Sequence, residues 1–85
     1  MNTTEVIKEL MLTQQFGAPV MVAYKDRPMQ LVMHDNELQV TTVTRDSRFV
    51  DVMFHDFEWN NTDGKSLLIE GKTLEQCLEQ VWALC

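Results

Sequence analysis

The stretch "VMFHDFEW", residues 52–59, decides how the middle of this chain folds, because its apolar residues change phase partway along. They stand at even positions first and, from Phe57 onward, at odd positions. Successive residues of a strand point to opposite sides of a sheet, so one regular strand cannot hold both sets on one side. A β-bulge at His55-Asp56 is the simplest local change that absorbs the shift. The sequence therefore predicts a bent strand over 48–59.

Short alternating runs flank this stretch on both sides. From Pro19 to Glu70 they are interrupted by turn-forming residues at roughly 8- to 12-residue intervals, which is typical of consecutive antiparallel strands. A meander of hairpins is the simplest way to connect such strands. We expect the strands near 19–25, 28–34, 37–44, 48–59 and 65–70.

The two ends of the chain have helical spacing instead. Asn2 or Thr3 can cap the first helix, and Gly17 and Pro19 end it. Thr73 can cap the second helix. The apolar stripes are Val6, Ile7, Leu10 and Met11 in the first helix, and Leu74, Cys77, Leu78, Val81 and Trp82 in the second.

Length and composition limit the chain to one core. It has 85 residues, of which 45% are hydrophobic, so residues 1–85 are expected to form a single α+β domain. We expect an N-terminal helix, an antiparallel meander of four to five strands as an open sheet or a partly open barrel, and a C-terminal helix packed on the sheet. A domain this small has little buried surface, and a homodimer would add more.

The charge balance bears on the class of partner. The formal net charge is −6, from 13 acidic and 7 basic residues, so a phosphate backbone would be repelled and no nucleic-acid partner is expected. Arg45 and Arg48, beside a predicted turn, support only a weaker nucleic-acid alternative. Acidic residues are concentrated in the C-terminal half. They favour a protein partner with a basic surface, or mimicry of the phosphates of DNA.

The chain has the features of a cytoplasmic protein. Its N-terminal segment has charged residues within the apolar pattern and offers no secretion signal. The longest apolar run, "APVMVAY", is too short to span a bilayer, so no membrane partner is predicted. Cys77 and Cys85 are eight residues apart in one predicted helix and cannot form a disulfide with each other. This arrangement fits a reducing compartment.

Two similar segments raise the question of a ligand site. "LVMHDNE" and "VMFHDFE" each carry a His-Asp pair near the end of a predicted strand, and imidazole and carboxylate groups are common metal ligands. Adjacent strand residues point apart, however, so turn and bulge roles are favoured, and we predict no metal and no cofactor. The alternative is a small-molecule or metal-binding protein, or a minor hydrolase. Its site would use Tyr24, His34, His55 and Asp56, with Trp59 in the pocket wall.

Sequence motifs for catalysis are incomplete. "GKT" at 71–73 follows an apolar strand and opens a helix, as a phosphate-binding loop does, but the earlier glycine of that motif is replaced by Ser66. Neither Ser47 nor Ser66 stands in a nucleophile elbow. Cys77 lies on an apolar helix stripe without a nearby cation to activate it. We therefore predict a protein that is not an enzyme.

The leading functional hypothesis is a non-catalytic binding protein that forms a homodimer and acts through protein–protein contacts. Aromatic residues crowd the fourth predicted strand, and two helices can cover only one side of the sheet, leaving Phe57 and Trp59, or Met21 and Ala23, partly bare. Small acidic chains of this kind are often encoded on phages or mobile elements. The predicted partner-binding residues are Phe57, Trp59, Glu75, Glu79 and Trp82.

Overall fold

The computed structural model describes residues 2–60 and 66–85. Its fold class is α+β, as the sequence predicts, and its main sheet is open and does not close into a barrel. Within these residues the elements, in chain order, are α1 (Thr3–Thr13), β1 (Val20–Tyr24), β2 (Arg27–His34), β3 (Glu37–Val43), β4 (Phe49–His55), β5 (Phe57–Asn60), β6 (Ser66–Ile69), β7 (Lys72–Thr73) and α2 (Leu74–Ala83).

The first four strands form an antiparallel sheet in the order β1-β2-β3-β4, which confirms the predicted meander. The β2–β3 hairpin has Asp35 and Asn36 as its two turn residues, with φ of 49° and 67°. A type I′ turn requires positive φ at both positions, and Asp and Asn tolerate it better than most residues. The β1–β2 turn is Lys25-Asp26, because β2 begins at Arg27.

The stretch at 52–59 forms two strands, so the prediction of one bulged strand over 48–59 is wrong. β4 ends at His55, β5 begins at Phe57, and Asp56 between them has a φ of 58°. The Asp56 amide donates to the Asn36 carbonyl at 3.1 Å, and the Asp56 carbonyl accepts from the Glu70 amide at 3.4 Å. This left-handed residue redirects the chain out of the four-stranded sheet.

The redirected chain enters a second antiparallel sheet in the order β5-β6-β7. Phe57 pairs with Ile69, and the Glu70-Gly71 turn, with φ of 54° and 76°, leads into the two-residue strand β7. The short strand β7 was not predicted from the sequence. The predicted start of the fifth strand at residue 65 lies outside the described residues.

Both helices begin at the predicted caps. The Asn2 side chain accepts from the Glu5 amide at 3.2 Å, and α1 ends at Thr13, ahead of Gly17. At α2, the Thr73 hydroxyl accepts from the Gln76 amide, and the Gln76 side chain accepts from the Thr73 amide, which is a complete capping box. A cap of this kind is worth about 1 kcal/mol.

The four-stranded sheet has two unlike sides. Both helices pack against one side, named here the core face, and the second sheet contributes Leu67 and Ile69 to the same core. The core face comprises Val20, Val22, Met29, Leu31, Met33, Leu38, Val40 and Phe54 among its buried apolar residues. The alternating residues of β1–β4 form the outer face, which comprises Met21, Ala23, Pro28, Gln30, Val32, His34, Glu37, Gln39, Thr41, Val43, Phe49, Asp51, Met53 and His55.

Candidate functional site: the outer face of the sheet

Large apolar side chains are exposed on the outer face. Phe49 is 77% exposed, Met21 63%, Met53 44% and Val43 40%, and Phe16 stands exposed in the connection between α1 and β1. The solvated side of an antiparallel sheet normally carries polar residues. An apolar patch that remains exposed in a folded chain is typical of a surface that contacts a partner.

The polar side chains among these apolar residues already have partners. The Asp51 carboxylate accepts hydrogen bonds from the Thr41 hydroxyl and, at 3.2 Å, from the Gln39 amide. The Glu37 carboxylate lies 3.4 Å from Nδ1 of His55. Burial of a polar group is costly mainly when it leaves that group without a hydrogen bond. These contacts reduce the desolvation cost at which a partner would cover this part of the face, although the two carboxylates keep that cost appreciable.

A groove of about 460 Å³ opens on the outer face near the β2–β3 turn. Val32 and Met53 give it an apolar lining, and Phe16 lies on the side of the α1–β1 connection. His34 and Glu37 also line it. The groove therefore offers both apolar and polar contacts to a partner.

Opposite charges lie at the two ends of the face. At one end, named the Arg48 end, the β3–β4 turn carries Arg45 and Arg48. Arg48 pairs with Asp46 at 2.9 Å and Arg45 lies 3.8 Å from Asp26 of the β1–β2 turn, so both basic groups are partly neutralised. At the other end, named the Asp35 end, lie Asp35, Glu37 and Asp56. Along its strands, the outer face therefore runs from an end with basic side chains to an end with acidic side chains.

The aromatic residues predicted to bind a partner are partly buried. Phe57 and Trp59 pack edge to face, with ring centroids 5.8 Å apart and planes at 76°, and both lie against the core. Trp82 also packs against the core, its indole N–H donates to Asp26 at 3.1 Å, and the Lys25 ammonium lies 4.2 Å from the centre of its ring. These three rings join elements of the fold, and their role in partner binding stays a prediction.

The two predicted acidic contact residues have intramolecular partners as well. Glu75 accepts from the Thr3 hydroxyl at 2.5 Å, which links the two helices. Glu79 accepts from the Tyr24 hydroxyl at 2.5 Å and lies 2.8 Å from the Lys25 ammonium. Hydrogen bonds from Lys25 and Tyr24 lower the pKa of the Glu79 carboxyl. The hydrogen bond to Glu79 is also the largest cause that raises the pKa of Tyr24 to about 12.

The residues of the ligand-site alternative are divided between separate regions. His34 and His55 both lie on the outer face, in one row on either side of Glu37, so roughly 10 Å separates their strands. Tyr24 points to the other side of the sheet, toward Glu79 of α2, and Asp56 forms the corner between the sheets. Within the described residues, no group of three or more His, Cys, Asp or Glu side chains is arranged to hold a metal ion.

The other sequence motifs have structural roles. In "GKT", Gly71 forms a turn at positive φ, Thr73 caps α2, and the Lys72 ammonium lies 2.8 Å from the Gln80 side chain and 5.2 Å from the centre of the Phe54 ring. Burial raises the pKa of the Cys77 thiol to about 11, because a thiolate is poorly solvated there. Cys77 and Cys85 are both free thiols.

Sequence reasoning missed two of the exposed apolar residues of the outer face, Phe49 and Met53. The signal was present, since both stand at odd positions of a strand whose even positions are also apolar. No protein-family model, curated protein or solved structure matches this chain. In the part of the chain that the structure describes, no helix combines the length and apolar character needed to cross a bilayer.

Proposed function

We propose that this chain is a non-catalytic binding protein that acts through protein–protein contacts, and that its contact surface is the outer face of the four-stranded sheet. The supporting observation is the set of exposed apolar residues there, led by Phe49 at 77%. Aromatic side chains supply much of the binding free energy in protein interfaces when a partner excludes water from them.

The chemistry of the other side chains agrees with a binding role. The buried thiol of Cys77 has a raised pKa and is a poor nucleophile. The imidazole of His55 lies beside Glu37, and the imidazole of His34 lies 3.1 Å from Asp35, both in exposed positions where water competes for every contact. Efficient acid–base catalysis needs a more enclosed and better oriented group than these.

The test is affinity capture from source cells with three forms of the tagged chain. The first is wild type, the second is the outer-face variant Phe49→Ser/Met53→Gln, and the third is the control Leu12→Gln/Leu84→Gln. The control also removes two exposed apolar side chains, of 75% and 61% exposure, but neither belongs to the outer face. Circular dichroism would establish that all three forms are folded.

We expect wild type and the control to capture the same protein, and the outer-face variant to lose it. The captured protein, once purified, should slow the oxidation of Met21 and Met53 by hydrogen peroxide, because both sulfurs are on the outer face. Capture that is equal for all three forms, or absent from a wild-type chain that also does not self-associate, would contradict the proposed contact surface.

A further inference from the structure

We propose that the partner of the outer face is a second copy of this chain, bound sheet on sheet about a two-fold axis, with Phe49 of each copy against the β4 side of the groove of the other. The inference rests on the proposed contact surface and states which molecule binds there. A homodimer with such an axis is isologous, so each copy contributes the same residues and every contact occurs twice.

The distribution of charge favours one orientation of the two copies. If the axis lies between the sheets and runs across the strands, rotation places the Arg48 end of one copy over the Asp35 end of the other. Arg45 and Arg48 then approach the acidic end that contains Glu37 and Asp56. The opposite orientation, with the axis along the strands, would place like charges together at both ends. Complementary charges of this kind select the orientation of an interface.

In this orientation, the register of the sheet keeps the carboxylates of one copy apart from the carboxylates of the other copy. One row across the strands ends in Asp51, and the adjacent row contains Gln39 and Met53. An axis between these two rows exchanges them, so Asp51 of one copy faces the row of Gln39 and Met53 in the other. The same operation exchanges the row of Glu37 with the row of Val43. No carboxylate of the face therefore lies opposite another carboxylate.

The rotation also brings the exposed Phe49 ring of one copy close to the groove of the other copy. Phe49 is on the edge strand β4 at the Arg48 end, and the operation places its ring over the Asp35 end of β4 in the other copy. Met53 lines the groove there, with Val32 deeper on the face and Phe16 at its side. The ring then lies opposite His55 and beside Met53, at the β4 side of the groove, where its contact with the Met53 sulfur is favourable.

The size of the face is adequate for a small dimer. Four strands about 4.8 Å apart and roughly 20 Å long give a projected area on the order of 400 Å², and the relief of the side chains makes the accessible area larger. The projected area is about half of the roughly 800 Å² that each partner contributes to a standard interface, so the dimer would be a small one. Two sheets packed in this way would lie about 10 Å apart with strands nearly aligned, as in β-sandwiches.

Sedimentation velocity over a concentration series of the full chain tests the proposal. We expect dimers at tens of micromolar, and we expect Phe49→Glu to weaken association by at least about tenfold, because it removes the apolar ring and places a carboxylate at the acidic Asp35 end of the other copy. The matched control is Leu12→Glu, which adds the same charge at an equally exposed apolar position on α1. It should leave the dissociation constant within about twofold of wild type.

The orientation is tested by reversing charges at the two ends. Arg48→Glu and Glu37→Lys should each weaken association by roughly threefold, the size expected for pairs in water. The double variant Arg48→Glu/Glu37→Lys restores opposite charges in the proposed orientation and should recover most of this loss. If the two single effects simply add in the double variant, the proposed orientation is wrong.

Failure of this inference is distinct from failure of the proposed contact surface. A wild-type chain that remains monomeric at tens of micromolar removes the second copy as occupant, while capture of another protein that depends on Phe49 would keep the outer face as the contact surface. A dimer that is unaffected by Phe49→Glu would show that the copies meet elsewhere, for example through the free edge of β1.

Discussion

The core face and the outer face belong to the same strands but have opposite environments. In β4, Phe54 is 1% exposed and packs beneath the helices, whereas Phe49 is 77% exposed. The two residues are chemically identical and only five positions apart, so their residue type does not determine their burial. Burial follows from which side of the sheet the helices cover. An apolar residue on the uncovered side is free to serve contacts with another molecule.

The largest expected difference between the faces is in stability. Phe54→Ala should lower the free energy of unfolding by about 3–5 kcal/mol, because it leaves a cavity beneath the helices. Phe49→Ala should change it by less than about 0.5 kcal/mol when measured at low micromolar concentration, where self-association contributes little. Urea denaturation followed by circular dichroism measures both values. Equal losses for the two variants would contradict the division into faces.

A smaller effect is expected at the corner where β4 leaves the sheet. Asp56→Val should cost about 1–2 kcal/mol, because a β-branched residue strongly disfavours the φ of 58° found there. Asp56→Gly should retain the wild-type stability or exceed it, since glycine adopts this conformation without strain. Thermal denaturation of both variants gives the comparison. A valine variant as stable as the glycine variant would mean that the corner does not need positive φ.

The contact between Tyr24 and Glu79, on the covered side of the sheet, should make stability depend on pH. The hydrogen bond from the Tyr24 hydroxyl to Glu79 is the largest cause that raises the pKa of Tyr24 from 10.0 to about 12. Stabilisation from this group is therefore complete below pH 10 and should be lost as the pH rises toward 12. The pKa of Glu79 is lowered, so its contribution is lost only at acidic pH.

The variant Tyr24→Phe provides the matched measurement for this contact. Its free energy of unfolding should decline less steeply than that of wild type over the same alkaline interval, because it lacks the titrating hydroxyl. Urea denaturation at several pH values between neutral and pH 12 measures the two slopes. If the free energies of unfolding of the two proteins decline in parallel as the pH rises, groups other than the Tyr24 hydroxyl cause the decline.

The smallest effect is expected at Arg27, a charged residue on the core side with only 8% exposure. Its Nη1 donates to the Val43 carbonyl at 3.2 Å, and its Nε has no hydrogen-bond partner within the described residues. An apolar residue of similar length removes the cost of burying a charge along with one hydrogen bond. Arg27→Met should therefore change the free energy of unfolding by less than about 1 kcal/mol, as measured by urea denaturation. A loss of several kcal/mol would reveal a stronger role for the guanidinium.

Local patterns were sufficient to predict most of the fold. Caps at Asn2 and Thr73 depend on neighbouring residues, and the alternation of the strands located both ends of β1–β3 and the start of β4 within one residue. The change of phase at 52–59 could be seen in the sequence, but the sequence did not show whether a bulge or a corner produced it. A bulge and a corner have the same local pattern, and the pairing of Phe57 with the distant Ile69 decides between them.

The candidate contact surface was harder to predict for a related reason. β4 carries apolar residues on both sides, so alternation alone could not show which set the helices would cover. Phe57, Trp59 and Trp82 have the residue types that are common in interfaces, yet they pack against the core. Phe49 became a candidate only once the side of the sheet to which it belongs was known.

The wiring of the four-stranded sheet has a consequence for biosynthesis. Each of β2, β3 and β4 pairs with the strand made immediately before it, so every hairpin can close as soon as it leaves the ribosome. The C-terminal helix α2, however, supplies Leu74, Leu78 and Val81 to the core and is translated after every strand. Until then the nascent sheet presents apolar residues on both sides. During this brief interval of synthesis, a chaperone or slow release of the chain from the ribosome would protect the exposed sheet from aggregation.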